Sequence, residues 1–163
     1  MGAPLNVLFL CTHNSARSVL AECLLNHLGQ GRFRAFSAGS QPGGRVNPFA
    51  LQALAEQGMD NTGVRSKSWD EFAAPGAPKM DLIITVCDSA ASEVCPVWPG
   101  HPATAHWGYA DPSLTTGSDA AKLVAFRDTL ALMRRRLEIL VALPADRLQA
   151  LKIEQTARSL ATT

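Results

Sequence analysis

The stretch "NVLFLCTHNSARS", residues 6–18, decides the fold. Its first part, "NVLFL" (6–10), is a short apolar run that reads as a buried β-strand. From Ser15 to His27 the apolar spacing becomes that of a helix, with Leu20, Cys23, Leu24 and His27 expected on one face. Between strand and helix lie a thiol, Cys11, several small polar residues and a cation, Arg17. Strand, loop and helix in that order make the first half of a βαβ unit. The helix begins where the loop can hold a ligand, and its first N–H groups have no partner within the helix.

Outward from this unit the alternation repeats. "FRAFSAG" (33–39) reads as a second strand, "NPFALQALAEQG" (47–58) as a helix stopped by Gly58, and "DLIITV" (81–86) as a third strand buried on both faces. "TAHWG" (104–108) suggests a fourth. A long helix is predicted from about Ser118 to Val141, with Leu123, Phe126, Leu130, Met133, Leu137 and Leu140 forming its core-facing stripe. Arg134, Arg135 and Arg136 fall on or beside its wet face, most simply as solvated residues. Strands alternating with helices imply an α/β fold: a parallel sheet with helices on both faces and right-handed crossovers. Residues 1–143 read as one domain, and residues 144–163 as a C-terminal helical extension with a ragged apolar stripe.

Composition narrows the function classes. A net charge of +1 and 18% charged residues carry no nucleic-acid footprint, and 47% apolar residues argue against disorder. No apolar run approaches the roughly 18 residues of a membrane span, and the N-terminus lacks the basic and long apolar regions of an export signal. A cytoplasmic location is therefore expected, with neither membrane nor nucleic acid as partner. The four cysteines are then expected as thiols rather than structural disulfides.

The loop after the first strand has a specific chemistry. In a parallel sheet, ligands bind beyond the carboxyl ends of the strands. Backbone donors of Thr12, His13, Asn14, Ser15 and Ala16, with Ser18 just beyond, would wrap an oxyanion, and the Arg17 guanidinium would supply a two-pronged contact. The Cys11 thiol would sit beneath that anion. Arg17 and the helix dipole are expected to lower its pKa, giving a nucleophilic thiolate near neutral pH. Cys87 follows the third strand directly and should emerge at the same sheet edge, and Cys95 comes eight residues later in "CDSAASEVCPVWPG". Asp111 precedes Pro112 just after the expected fourth strand, where a turn residue could also act as a general acid.

These motifs, "VLFLCTHNSARS" with "ADP" at 110–112, resemble the low-molecular-weight tyrosine phosphatase family, and "TAHWG…DP" with two further cysteines resembles its arsenate reductase branch. The resemblance covers roughly residues 5–142. It implies a flavodoxin-like three-layer sandwich around a four-stranded parallel sheet, with Cys11 as nucleophile, Arg17 as oxyanion clamp and Asp111 as general acid. It also implies a relay in which Cys11 attacks arsenic, Cys87 attacks the Cys11 sulfur and releases arsenite, and Cys95 resolves that bond into a Cys87–Cys95 disulfide. Two electrons must come from two thiols, so extra cysteines distinguish a reductase from a phosphatase. The co-substrate would be a thiol reductant, thioredoxin or glutathione with glutaredoxin, and no cofactor is expected to be required.

Three departures qualify the match. His13 stands where phosphatases usually carry glycine, Ala16 replaces a cysteine of many relatives, and Cys87 and Cys95 enclose seven residues. Some relatives bind potassium beside the loop; Asn14, Glu22 and Ser37 match part of that set, but nearby Arg65 and Lys67 argue against a cation there. Cys87, Cys95, His101 and His106 have the residue types of a zinc site without its close cysteine pair, so no metal is expected. His106 and Trp107 are expected to pack at the end of the last strand, and Cys23 reads as a small buried hydrophobe. Besides the arsenate reductase, a phosphatase of the same fold and a non-enzymatic oxyanion or redox sensor remain open.

Overall fold

The computed structural model describes residues 4–87 and 103–144. The predicted extension past Pro144, Cys95 and His101 lie outside the described residues. In chain order the elements are β1 (Leu5–Leu10), α1 (Arg17–Gly29), β2 (Phe33–Ala38), α2 (Pro48–Glu56), α3 (Asp70–Ala73), β3 (Leu82–Thr85), β4 (Ala103–His106), a single 3-10 turn (Pro112–Leu114) and α4 (Asp119–Val141). The four strands form one parallel sheet in the order β2-β1-β3-β4. The order reverses between β1 and β3, and that switch point opens a crevice at their carboxyl ends.

Alternation along β1 divides the apolar residues between two layers. Leu5, Val7 and Phe9 join α1, α2 and α4 in the larger core, with Phe126, Met133 and Leu140 of α4. Leu8 and Leu10 face the other way and pack with Trp69, Phe72, Met80 and Ile83. Helices on both faces make the three-layer α/β sandwich expected from the alternation. Every residue of the predicted α4 stripe is buried. Ser118 caps this helix by accepting from the Ala121 N–H at 3.1 Å, and Asn47 caps α2 by accepting from the Phe49 N–H at 2.9 Å. Gly58, just past α2, takes a φ of 69°, the left-handed conformation glycine enters without strain.

The structure corrects three details. First, α1 starts at Arg17 rather than Ser15, because residues 11–16 are spent on the loop and Asn14 sits at a φ of 48°. Second, His27 is exposed; the buried arc of α1 instead includes Val19, Leu20, Ala21, Cys23, Leu24 and Leu25, since the sheet and two helices enclose this helix. Third, α3 has no apolar period to announce it. Its four residues are ordered by Phe72 entering the smaller core and stacking at 5.6 Å on Phe36.

Phe126 is fully buried where α4 packs on α2, 6.0 Å from the Phe49 ring. Phe126→Ala should therefore cost about 3–5 kcal/mol of unfolding free energy, measured by urea denaturation.

Candidate active site

β1 ends at the switch point, so Cys11 emerges between its neighbours β2 and β3, and its own N–H still donates to Ala38 O at 3.2 Å. The chain after β2 then braces the loop. Thr12 O accepts from Gln41 N at 2.9 Å, His13 O from Gly43 N at 3.0 Å and from Ser66 Oγ at 3.0 Å, and Ser15 O from Asn47 N at 2.8 Å. In a trans peptide the next N–H points opposite to the carbonyl, so the N–H groups of His13, Asn14 and Ala16 turn away from the brace and toward the loop's interior. Among the described residues, no protein acceptor takes the N–H groups of residues 13–16. The side chain of His13 is exposed, so that residue contributes its backbone.

Asn14 holds the loop from within. It is fully buried, its Nδ2 donates to Ser18 Oγ at 2.8 Å, and its Oδ1 accepts from Lys67 N at 2.9 Å. These bonds stabilise its left-handed backbone, which asparagine adopts more readily than most residues. Gly39 is required next to it: a Cβ there would collide with the carbonyl oxygens of Cys11 and Thr12.

The cation lies across the loop. Arg17 Nη1 donates to Tyr109 O at 2.9 Å, and Nη2 is 3.4 Å from Asp111 Oδ2. Its Nε is buried and finds no partner among the described residues, an unused donor in the wall of an anion-shaped loop. Asp111 is both the turn residue and the acid partner: Oδ1 accepts from Ser113 N at 2.9 Å and Ser113 Oγ at 2.6 Å, which leaves Oδ2 toward Arg17. Cys87 reaches the same edge from β3, where its sulfur accepts the Thr12 N–H at 3.4 Å and lies 3.8 Å from Thr12 Oγ1. Cys11, Arg17, Cys87 and Asp111 thus share one crevice, while Cys95 lies outside the described residues.

The electrostatics differ from the sequence expectation. The Cys11 thiol is not held as a thiolate: its hydrogen bond with the Cys87 side chain and its burial push it up, outweighing Arg17 and the Thr12 N–H, which pull it down. Cys23 is a different case. Burial, with Glu22 and Asp60, raises it to about 12, as suits an inert core thiol.

Beside the loop, Glu22 Oε1 accepts from Ser37 Oγ at 2.5 Å and lies 3.7 Å from Lys67 Nζ. Lys67 is nine-tenths buried; burial lowers its pKa while Glu22 holds its charge. Of the residues matching a potassium set, Glu22 pairs with an ammonium group, Ser37 bonds Glu22, and Asn14 bonds the Lys67 backbone. His106 Nδ1 meets Thr85 Oγ1 at 2.7 Å on β3, and no cluster of metal-ligand type occurs among the described residues. The loop's brace at Gln41, Gly43 and Ser66 and the Tyr109 carbonyl under Arg17 have no local sequence signal; only the glycine-rich "SAGSQPGG" hints at close approach.

The profile of the low molecular weight phosphotyrosine protein phosphatase family matches residues 6–156. The chain belongs to this family. Among curated relatives, an arsenate reductase of Halalkalibacterium halodurans is 38% identical over 74% of this chain and 84% of its own length. The arsenate reductase of Bacillus subtilis is 35% identical over 74% of this chain and 84% of its own. In solved structures, an arsenate reductase from Archaeoglobus fulgidus superposes with a TM-score of 0.66 at 31% identity, covering 84% of this chain and 99% of that one.

Two outcomes test this geometry. Cys87→Ala removes the largest cause of the raised Cys11 pKa, so alkylation of Cys11 by iodoacetamide should reach half its maximal rate at lower pH than in the wild type. Gly39→Ala should displace the loop and weaken inorganic phosphate binding by at least about tenfold in calorimetry, equivalent to one or two lost backbone hydrogen bonds.

Proposed function

We propose that the protein reduces arsenate to arsenite. The observation that carries this reading is the second thiol: Cys87 sits against the loop of Cys11, its sulfur accepting the Thr12 N–H at 3.4 Å, and it is the foremost influence on the Cys11 thiol. A phosphatase needs one sulfur there, whereas reduction of As(V) to As(III) draws one electron pair from two sulfurs. The arsenate reductases named above share the family and most of this chain's length, which supports the same substrate.

In the proposed sequence the N–H groups of residues 12–16, with Ser18 at the start of α1 and Arg17, bind the arsenate oxygens. Cys11 gives its proton to the bound arsenate as its sulfur attacks arsenic, and an arsenate oxygen leaves as water after taking a proton from Asp111. Cys87 sulfur then attacks Cys11 sulfur. The S–As bond breaks, its electron pair goes to arsenic, and arsenite leaves a Cys11–Cys87 disulfide. Cys95 attacks Cys87, frees Cys11 and closes a Cys87–Cys95 disulfide, which a dithiol reductant returns to two thiols. A structurally similar thioredoxin-dependent arsenate reductase of Corynebacterium glutamicum, with a TM-score of 0.61 at 24% identity, makes thioredoxin the first reductant to try, ahead of glutathione with glutaredoxin. Lys67 supplies the charge that a potassium ion would otherwise bring to Glu22.

The test measures arsenate turnover with thioredoxin, thioredoxin reductase and NADPH beside p-nitrophenyl phosphate hydrolysis. Cys11→Ser should lose both activities, because a serine oxygen is a far weaker nucleophile than sulfur and cannot give up the electron pair that reduces arsenic. Cys87→Ala should lose arsenate turnover and keep whatever ester hydrolysis the wild type shows. Efficient ester hydrolysis by a wild type that leaves arsenate unreduced would make the protein a phosphatase instead. Arsenate turnover should be the same in potassium and sodium buffers of equal ionic strength; several-fold activation by potassium would remove the role given to Lys67.

A further inference from the structure

Between residues 108–110 and the outer face of α4 lies a second cleft of about 370 Å³, lined by Gly108, Tyr109, Leu132, Arg135, Arg136 and Ile139 among others. Its volume falls in the range of small-molecule sites. The lining combines two kinds of group. Leu132 and Ile139 are 53% and 46% exposed and give the cleft an apolar wall. Arg136 lies over the Tyr109 ring at 5.1 Å, so its charge is fixed at the cleft. Arg135 is exposed and has no ion pair among the described residues, whereas its neighbour Arg134 pairs with Glu138 at 3.7 Å. The arginine run is therefore not a uniform wet face: each residue has its own surroundings, and two of the three point their charge at one concavity.

We propose that this cleft binds a small organic carboxylate with an apolar body, its carboxylate held by Arg135 and Arg136 and its body lying on Leu132, Ile139 and the Tyr109 ring. Guanidinium groups match the two oxygens of a carboxylate, and the apolar wall selects such a ligand over a bare inorganic anion. The cleft shares its floor with the catalytic crevice. Residues 108–110 line the cleft, while the Tyr109 carbonyl accepts from Arg17 and Asp111 follows directly. A ligand that engages Arg136 and Tyr109 therefore shifts the anchor of Arg17, and its occupancy is read as a change in KM for arsenate. Only this kinetic readout rests on the proposed reductase activity; binding stands without it.

The probe is 1-naphthoate, titrated into the full-length reduced protein by calorimetry, with 1-naphthamide as the uncharged control. Saturable binding with a Kd of about 1 mM or tighter is expected for the carboxylate and none for the amide. Arg135→Ser and Leu132→Glu, both at exposed positions that leave the core intact, should each weaken it about tenfold. Saturating inorganic phosphate, drawn to the Cys11 loop, should not displace the probe. In turnover assays KM for arsenate should change with the same midpoint as binding, and Arg135→Ser should abolish that response. Displacement by phosphate with indifference to both substitutions would place the probe in the catalytic loop and overturn the proposal, as would absence of saturable binding. Binding with an unchanged KM would overturn the coupling to Arg17.

Discussion

Three carbonyls, those of Thr12, His13 and Ser15, are pulled outward by hydrogen bonds from the chain after β2 and from Ser66, and the site depends on this. Peptide planarity converts the outward pull on each carbonyl into an inward-facing N–H on the next residue. The loop is thus an anion receptor before any anion arrives, and the ordering cost is met by folding rather than by binding. Two further constraints keep it so. Gly39 lets the brace approach, and the buried Asn14 fixes the one left-handed residue in the loop.

The sheet order explains why a second sulfur is present at all. At the reversal between β1 and β3 two strand ends open onto one crevice, and a cysteine follows each within two residues, Cys11 and Cys87. The paired sulfurs alter each other. With Cys87 beside it, Cys11 keeps its proton more tightly than Arg17 alone would allow, while the Cys87 sulfur accepts the Thr12 N–H. Such a pair titrates as a unit, and a bound oxyanion enters the same balance of charge. On the proposed reading, this one placement turns a phosphatase loop toward reduction.

Much of this was legible in the chain. The passage from "NVLFL" to Arg17 marks strand, loop and helix within thirteen residues, and the α4 stripe follows from spacing alone, because both are local periodicities. The position of Asp111 followed from its place after a strand. What could not be read depends on residues distant in sequence. Lys67 meets Glu22, Ser66 meets His13 and Tyr109 O meets Arg17 across 45, 53 and 92 positions, and no local pattern encodes such pairs. The raised Cys11 thiol was missed for the same reason: the reading counted the cation six residues away and not the sulfur delivered by β3.

The central proposal is that electrons pass from Cys95 through Cys87 and Cys11 to arsenic, so that oxidation travels the opposite way, from Cys11 to Cys87 and onward to Cys95. It is tested most directly by exposing Cys95→Ser to arsenate without reductant and mapping disulfides by mass spectrometry under non-reducing conditions. The account predicts about one arsenite released per protein and a disulfide joining the peptides of Cys11 and Cys87, a dead end that only an added thiol can clear. Many turnovers by this variant with thioredoxin, or arsenite release with Cys11 and Cys87 both still reduced, would contradict it.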